Sequence, residues 1–168
     1  MKKPLLGLAI ALLVGVGSLQ GSRADAQSDD NAQIDAIYQK FGTALRHKDV
    51  NAIMSLYVRG NTLFVFDVSP PRDHVGWQSY YDDWKGFFAS VKGGLTFKIS
   101  ELNVTVSGDV AYTRSIQSLA GDMGTLHALD VRVTDVLRKI DGKWLIVQEH
   151  VSVPVNFQTL KPDFTSRP

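Results

Sequence analysis

The clearest periodic signal in the chain begins at Ile34. Ile34, Ile37, Tyr38, Phe41, Ala44 and Leu45 recur every three or four residues, the spacing that gathers side chains on one face of a helix, and they predict an amphipathic helix over 31–47. Asp49 then suits the N-cap of a short second helix carrying Val50, Ile53, Met54 and Tyr57, since its carboxylate can accept from the free amides of a first turn. Residues 63–68 alternate as a strand, with Leu63, Val65 and Asp67 on one side. The run Ser69-Pro70-Pro71-Arg72-Asp73 is a loop. From Gly76 the helical period returns in the stripe Trp77, Tyr80, Tyr81, Trp84, Phe87, Phe88, Val91, which Gly93-Gly94 is expected to end.

Everything after residue 95 reads as strand. Residues 95–106 and 110–120 flank the turn Ser107-Gly108-Asp109, and Gly121–Gly124 turns into 127–140, followed by 143–154. The predicted architecture is α+β: a curved antiparallel sheet packed against three helices, forming a cone that suits a small ligand. The last hairpin is the best defined, because Asp141-Gly142 between β-branched runs favours a two-residue type I′ turn. If those two residues are the loop and the register is continuous, Asp135 faces Gln148, Val133 faces His150 and Val131 faces Ser152. One sheet face then holds Val131, Val133, Asp135, Leu137, Trp144, Ile146, Gln148, His150 and Ser152. The other holds Arg132, Thr134, Val136, Arg138, Leu145, Val147, Glu149 and Val151. The first, apolar but interrupted by polar groups, is the expected pocket wall. The second is the expected surface of a homodimer, with Glu149 and the arginines supplying its charged register.

Composition changes the picture at the N-terminus. Lys2-Lys3, an apolar run to about Val16 and the small-x-small triplet Ala24-Asp25-Ala26 fit a secretory leader over residues 1–26. That divides the chain into leader, a domain over 27–154 and a tail over 155–168. The run is shorter than the roughly 20 residues a spanning helix needs. No membrane anchor is therefore expected once the leader is removed, and the style of the leader points to bacterial export, to the periplasm or beyond. Without residues 1–26 the formal charge moves from +1 to −1, because Lys2, Lys3, Arg23 and Asp25 leave. A near-neutral domain with no basic cluster argues against a nucleic-acid partner.

Arg132-x-Thr134, Asp141-Gly142-Lys143-Trp144 and His150-x-Ser152 together resemble the SnoaL-like branch of the nuclear transport factor two-like superfamily, over residues 34–154. Asp141–Trp144 with His150 and Ser152 also resembles the calmodulin-dependent kinase association domain. The resemblance implies the cone fold but leaves function open, since this fold hosts isomerases, dehydratases, cyclases and non-catalytic hubs. Compared with ketosteroid isomerases, Asp67 matches the general base and Asp135 the oxyanion-hole Asp, while Tyr57 and Trp84 fall at supporting Tyr positions. Phe41 falls at the oxyanion Tyr position and cannot donate a hydrogen bond. Loss of one such donor costs about 3–4 kcal/mol of transition-state stabilisation, which disfavours steroid isomerisation.

The candidate catalytic residues are thus Asp67, Asp135 and His150. Asp67 reads either as a base or as a cap for the loop that follows it. His150 with Asp135 reads as an acid–base pair, as a ligand contact or as a structural hydrogen bond. Gln148, Ser152 and Gln117 are candidate ligand contacts, and Trp77, Tyr81 and Phe41 candidate apolar walls. No His, Cys or carboxylate pair shows metal-ligand spacing, so neither metal nor other cofactor is expected. Three functions follow: binding of a small apolar or carbonyl-containing molecule, cofactor-independent isomerase or lyase chemistry, and a non-catalytic association module.

Overall fold

The structure is a computed structural model describing residues 17–164, with side chains described from residue 26. The expected first helix is present as α1, Gly17–Arg46, and buries Ile34, Ile37, Tyr38, Phe41, Ala44 and Leu45. It starts well before residue 31 and runs through the expected cleavage position; the first sixteen residues of the leader lie outside the described residues. Its first described tie to the sheet is Asp30, whose Oδ1 accepts from Lys139 Nζ at 2.6 Å and Trp144 Nε1 at 2.9 Å. Helix α2, Val50–Met54, is capped as expected: Asp49 Oδ1 accepts from Ala52 N at 2.9 Å. Among the described residues, no helix is long and apolar enough to cross a membrane.

Two short strands follow, β1 (Phe64–Phe66) and β2 (His74–Val75), then α3 (Trp77–Ser90). The long strands are β3 (Lys92–Ser107), β4 (Val110–Met123), β5 (Leu126–Ile140) and β6 (Lys143–Ser152). They form one sheet in the order β2-β1-β6-β5-β4-β3, antiparallel except where β1 joins β6 in parallel. Gly93-Gly94 lies inside β3 and does not end α3. The tail is not featureless: β7 (Val155–Asn156) and β8 (Lys161–Pro162) pair, and Asp130 N donates to Phe164 O at 2.8 Å.

The sheet bends where its ladders slip. Register shifts interrupt β3–β4 twice, β4–β5 near Gly121 and β5–β6 beside Val136, and each such bulge adds local twist and bend. Gly121 is required by close approach, since a Cβ there would lie 2.6 Å from Leu95 Cδ2 and 3.1 Å from Gly94 O. Curvature wraps the inner face around α1 and α3. Phe41 bridges these layers, its ring centroid 5.8 Å from Trp84 and 5.6 Å from Phe97.

The bulge in the last hairpin overturns the continuous register. The turn itself is as expected, with φ of 49° at Asp141 and 76° at Gly142, and pairing holds out to Leu137 opposite Ile146. The next pair is Val136 with Gln148, so Val147 is the extra residue. Beyond it Asp135 faces Glu149, Thr134 faces His150 and Arg132 faces Ser152. Side chains alternate along a strand, so one inserted residue exchanges the faces of everything after it. Glu149 is consequently buried on the inner face, and Gln148, His150 and Ser152 share the outer face with Thr134 and Arg132. The Arg132–Glu149 pairing expected for a dimer surface is not formed. The outer face instead carries exposed Arg114, Arg132, Arg138 and Tyr112.

With no cysteine in the chain, the register can be tested by cross-linking. Thr134→Cys with His150→Cys should oxidise to an intramolecular disulfide, because opposed same-face residues meet the Cα spacing of about 4.4–6.8 Å. Val133→Cys with His150→Cys should not. Mass spectrometry with and without reductant distinguishes the two, and the reverse outcome would restore the unbulged register.

Candidate functional site

The inner face of the sheet carries a polar stripe through an apolar surround. Thr113, Asp135 and Glu149 lie side by side on β4, β5 and β6, with Val65 of β1 beyond them. All are buried. Three tyrosines from the helical side meet them. Tyr57, just after α2, donates to Glu149 Oε2 at 2.6 Å, and Tyr80 of α3 donates to Glu149 Oε1 at 2.5 Å. Tyr38 of α1 donates to Asp135 Oδ2 at 2.6 Å and sits against Thr113 Oγ1.

Electrostatics follow from this burial. Glu149, only 4 % exposed, is pushed well above the usual carboxylate range, first by desolvation and then by the charge of Asp135. Desolvation raises Asp135 to about 6, opposed chiefly by the hydrogen bond from Tyr38. Two carboxyls buried as neighbours do not both ionise readily, so the pair retains a proton near neutral pH. Burial, and then the carboxylate charge, raise all three tyrosines, which keeps their hydroxyls as donors.

Glu149 and Tyr80 also reach a cavity of about 410 Å³ between α1, α3 and the sheet, within the roughly 300–1,000 Å³ range of small-molecule sites. Its walls are mainly apolar: Phe41, Leu45, Trp84, Phe87, Phe97, Leu119, Val131 and Val133, among others. Gln117, Asp67 and Asp83 add polar groups. The exposed lining residues Ser69, Gly86 and Ser90 mark its opening to solvent.

Of the residues expected at a site, Gln117, Phe41 and Asp67 line this cavity. Asp67 also serves its loop, its Oδ1 accepting from Val68 N at 2.6 Å and its Oδ2 from Ser69 Oγ at 3.1 Å. Asp135 is on the inner face but lies behind the wall, paired with Tyr38. His150, Gln148 and Ser152 are displaced to the outer face by the Val147 bulge. His150 is exposed there against Phe66, ring centroids 5.4 Å apart, and forms no pair with Asp135. Trp77 and Tyr81 stack on each other at 5.0 Å; Trp77 donates to Met54 O and lies under Arg59, away from the cavity.

Glu149, Tyr38 and Tyr80 were not anticipated as site residues. The consecutive polar residues Gln148-Glu149-His150 do break alternation, and that break is the one trace of the bulge in the sequence. A second group was also unanticipated: ligand-type atoms of Asp67, His74 and Asp83 all lie within 4.8 Å of one another. The sequence offered no metal-ligand spacing, and the fold gathers this group nonetheless. Its members come from the end of β1, from β2 and from α3, so no sequence spacing could announce it.

The buried carboxyl pair dictates a pH dependence. Folded Asp135 and Glu149 hold protons that the unfolded chain releases near pH 4, so the native state binds more protons and stability falls as pH rises. The loss should run from about pH 4 through about 6 for Asp135 and continue above that for Glu149. Each group contributes about 1.4 kcal/mol per pH unit where only the unfolded form is ionised. Urea unfolding between pH 4 and 8 should show this slope, and Glu149→Gln with Asp135→Asn should reduce it.

Comparison with solved structures places the fold. An NTF2-like protein of unknown function from Pseudomonas putida superposes with a TM-score of 0.77 at 22% identity, covering 84% of this chain and 98% of that one. A proposed dehydratase of the NTF2-like family from Streptomyces avermitilis gives 0.68 at 19%, covering 77% and 99%. A proposed scytalone dehydratase from Novosphingobium aromaticivorans gives 0.68 at 17%, covering 79% and 89%. No curated protein sequence matches. Residues 34–156 match the family model for the SnoaL-like domain, and since that span is most of the chain, the protein belongs to the SnoaL-like family, with the NTF2-like cone fold.

Proposed function

We propose that this domain binds a small, mainly apolar molecule inside the cone, with one oxygen-bearing end directed at Gln117 and Glu149. The observation that carries this reading is the 410 Å³ apolar cavity with Glu149, a carboxyl buried beside Asp135 and pushed above the usual carboxylate range, in its wall. A neutral carboxyl donates a hydrogen bond to a carbonyl or hydroxyl oxygen, and an aromatic and aliphatic surround favours the apolar remainder. Native mass spectrometry of protein from its own host should show a non-covalent adduct, which Val133→Trp, filling the cavity, should lose with the fold intact by circular dichroism. If the wild type carries no adduct and gives no saturable binding of an apolar fluorescent probe, the reading fails.

One observation favours a second reading, cofactor-independent isomerase or lyase chemistry. Glu149 has its two tyrosine donors and its buried neighbour Asp135 in place, and burial pushes its carboxyl above the usual range, which suits general acid catalysis. Two structural neighbours are themselves described as proposed dehydratases; at under 25% identity they share the fold alone. For an identified carbonyl ligand, deuterium uptake at the adjacent carbon followed by NMR should require Glu149, falling at least about 100-fold in Glu149→Gln, with binding retained.

Export is part of the same proposal. The Lys pair, the apolar run and Ala24-Asp25-Ala26 support it, and Asp30, the first described anchor of α1, lies just beyond the cleavage position. Protein recovered from the exporting host should begin at Gln27 by N-terminal sequencing. An intact Met1 on the recovered protein would remove the proposal.

A further inference from the structure

We propose that Asp67, His74 and Asp83 form a binding site for one divalent first-row transition cation at the edge of the cavity. The ligand-type atoms of the three side chains lie within 4.8 Å of one another. His74 is only 3 % exposed, yet its Nε2 is buried without a hydrogen-bond partner. The nearest opposite charge is Asp83 Oδ1 at 3.8 Å, beyond hydrogen-bond range. A buried ring nitrogen left in this way is uncommon and calls for a partner.

The surroundings select a metal as that partner. His74 Nδ1 lies 3.2 Å from Ser79 Oγ; donating there leaves the Nε2 lone pair free, the outer-shell arrangement that orients most metal-binding histidines. Ser79 and Asp83 stand four residues apart on α3 and so share one helix face, one meeting each ring nitrogen. Asp67 is held by Val68 N and Ser69 Oγ. Among the described residues no lysine or arginine forms an ion pair with Asp67 or Asp83. The two carboxylates therefore face each other and the imidazole, and a divalent ion would answer all three together. Cation–ligand distances of about 2.0–2.2 Å set neighbouring ligand atoms about 3–4 Å apart, a contraction that partly exposed Asp83 can supply by rotation.

One imidazole with two carboxylates favours zinc, manganese or ferrous iron over calcium, which takes oxygen ligands alone. Three protein ligands leave at least one coordination position open. Asp67 and Asp83 line the cavity, so that position is available to water or to an oxygen of a bound molecule. The site does not depend on the cavity holding a ligand, and a negative result below would leave the ligand-binding reading untouched.

The test uses the full mature chain, stripped with a chelator and free of organic ligand. Isothermal titration calorimetry with Zn²⁺ and with Mn²⁺ should show one ion per chain, and Mn²⁺ should broaden the His74 ring resonances before those of exposed His47, His127 and His150. Asp83→Asn and Asp67→Asn, at partly exposed positions, should each weaken binding at least about 100-fold, beyond the roughly 10–100-fold that loss of an outer-shell partner produces. His74→Gln should abolish it, and Ser79→Ala should weaken it while leaving all three ligands. No heat up to millimolar metal, or affinity equal in wild type and in both Asp variants, would overturn the site.

Discussion

The structure depends on two carboxylic acids that have been taken out of water. Burying a carboxylate costs several kcal/mol unless hydrogen bonds and proton retention offset it. Here the offset comes from three tyrosines, one each from α1, the segment after α2, and α3. Apolar contact is non-directional and would let the helices slide over the sheet. A hydroxyl aimed at one carboxyl oxygen does not permit sliding, so each part of the helical layer is keyed to a defined point on the inner face. The same keying holds Glu149 at the cavity, which joins the stability of the fold to the chemistry available in it.

Much of the fold was legible because it is written in short-range patterns. The apolar stripe from Ile34 to Leu45, the Asp49 cap and the Asp141-Gly142 turn each follow from a local rule, and each is present. The site was less legible because its geometry is a long-range property. A single additional residue at Val147 reverses the face of everything after it in β6 relative to a continuous ladder, and the two-residue rhythm of a strand carries no marker for such an insertion beyond the run of three polar side chains. Asp67, His74 and Asp83 illustrate the same limit: the β1–β2 pairing and the packing of α3 bring them together, and neither is encoded in their spacing.

The comparison with ketosteroid isomerases was informative in a different way. Asp135 occupies an inner-face position as that resemblance implies, but its carboxyl is engaged by Tyr38, one turn before Phe41 on α1. Phe41 lines the cavity without a hydroxyl. The acidic group that reaches the cavity is therefore contributed by the neighbouring strand, through Glu149. Similar folds can thus present a buried acid from different strands, which is why fold membership constrains architecture more tightly than reaction.

The bulge at Val147 also says something about how such a cavity changes over evolutionary time. Deleting that one residue would restore unbroken alternation with Glu149 still facing inward opposite Asp135, whereas absorbing Val147 into a continuous ladder would turn Glu149 outward and His150 inward. A carboxyl wall would become an imidazole wall with no substitution at either position. Ladder register, as much as side-chain identity, is therefore a variable through which this scaffold can exchange one proton-transfer group for another.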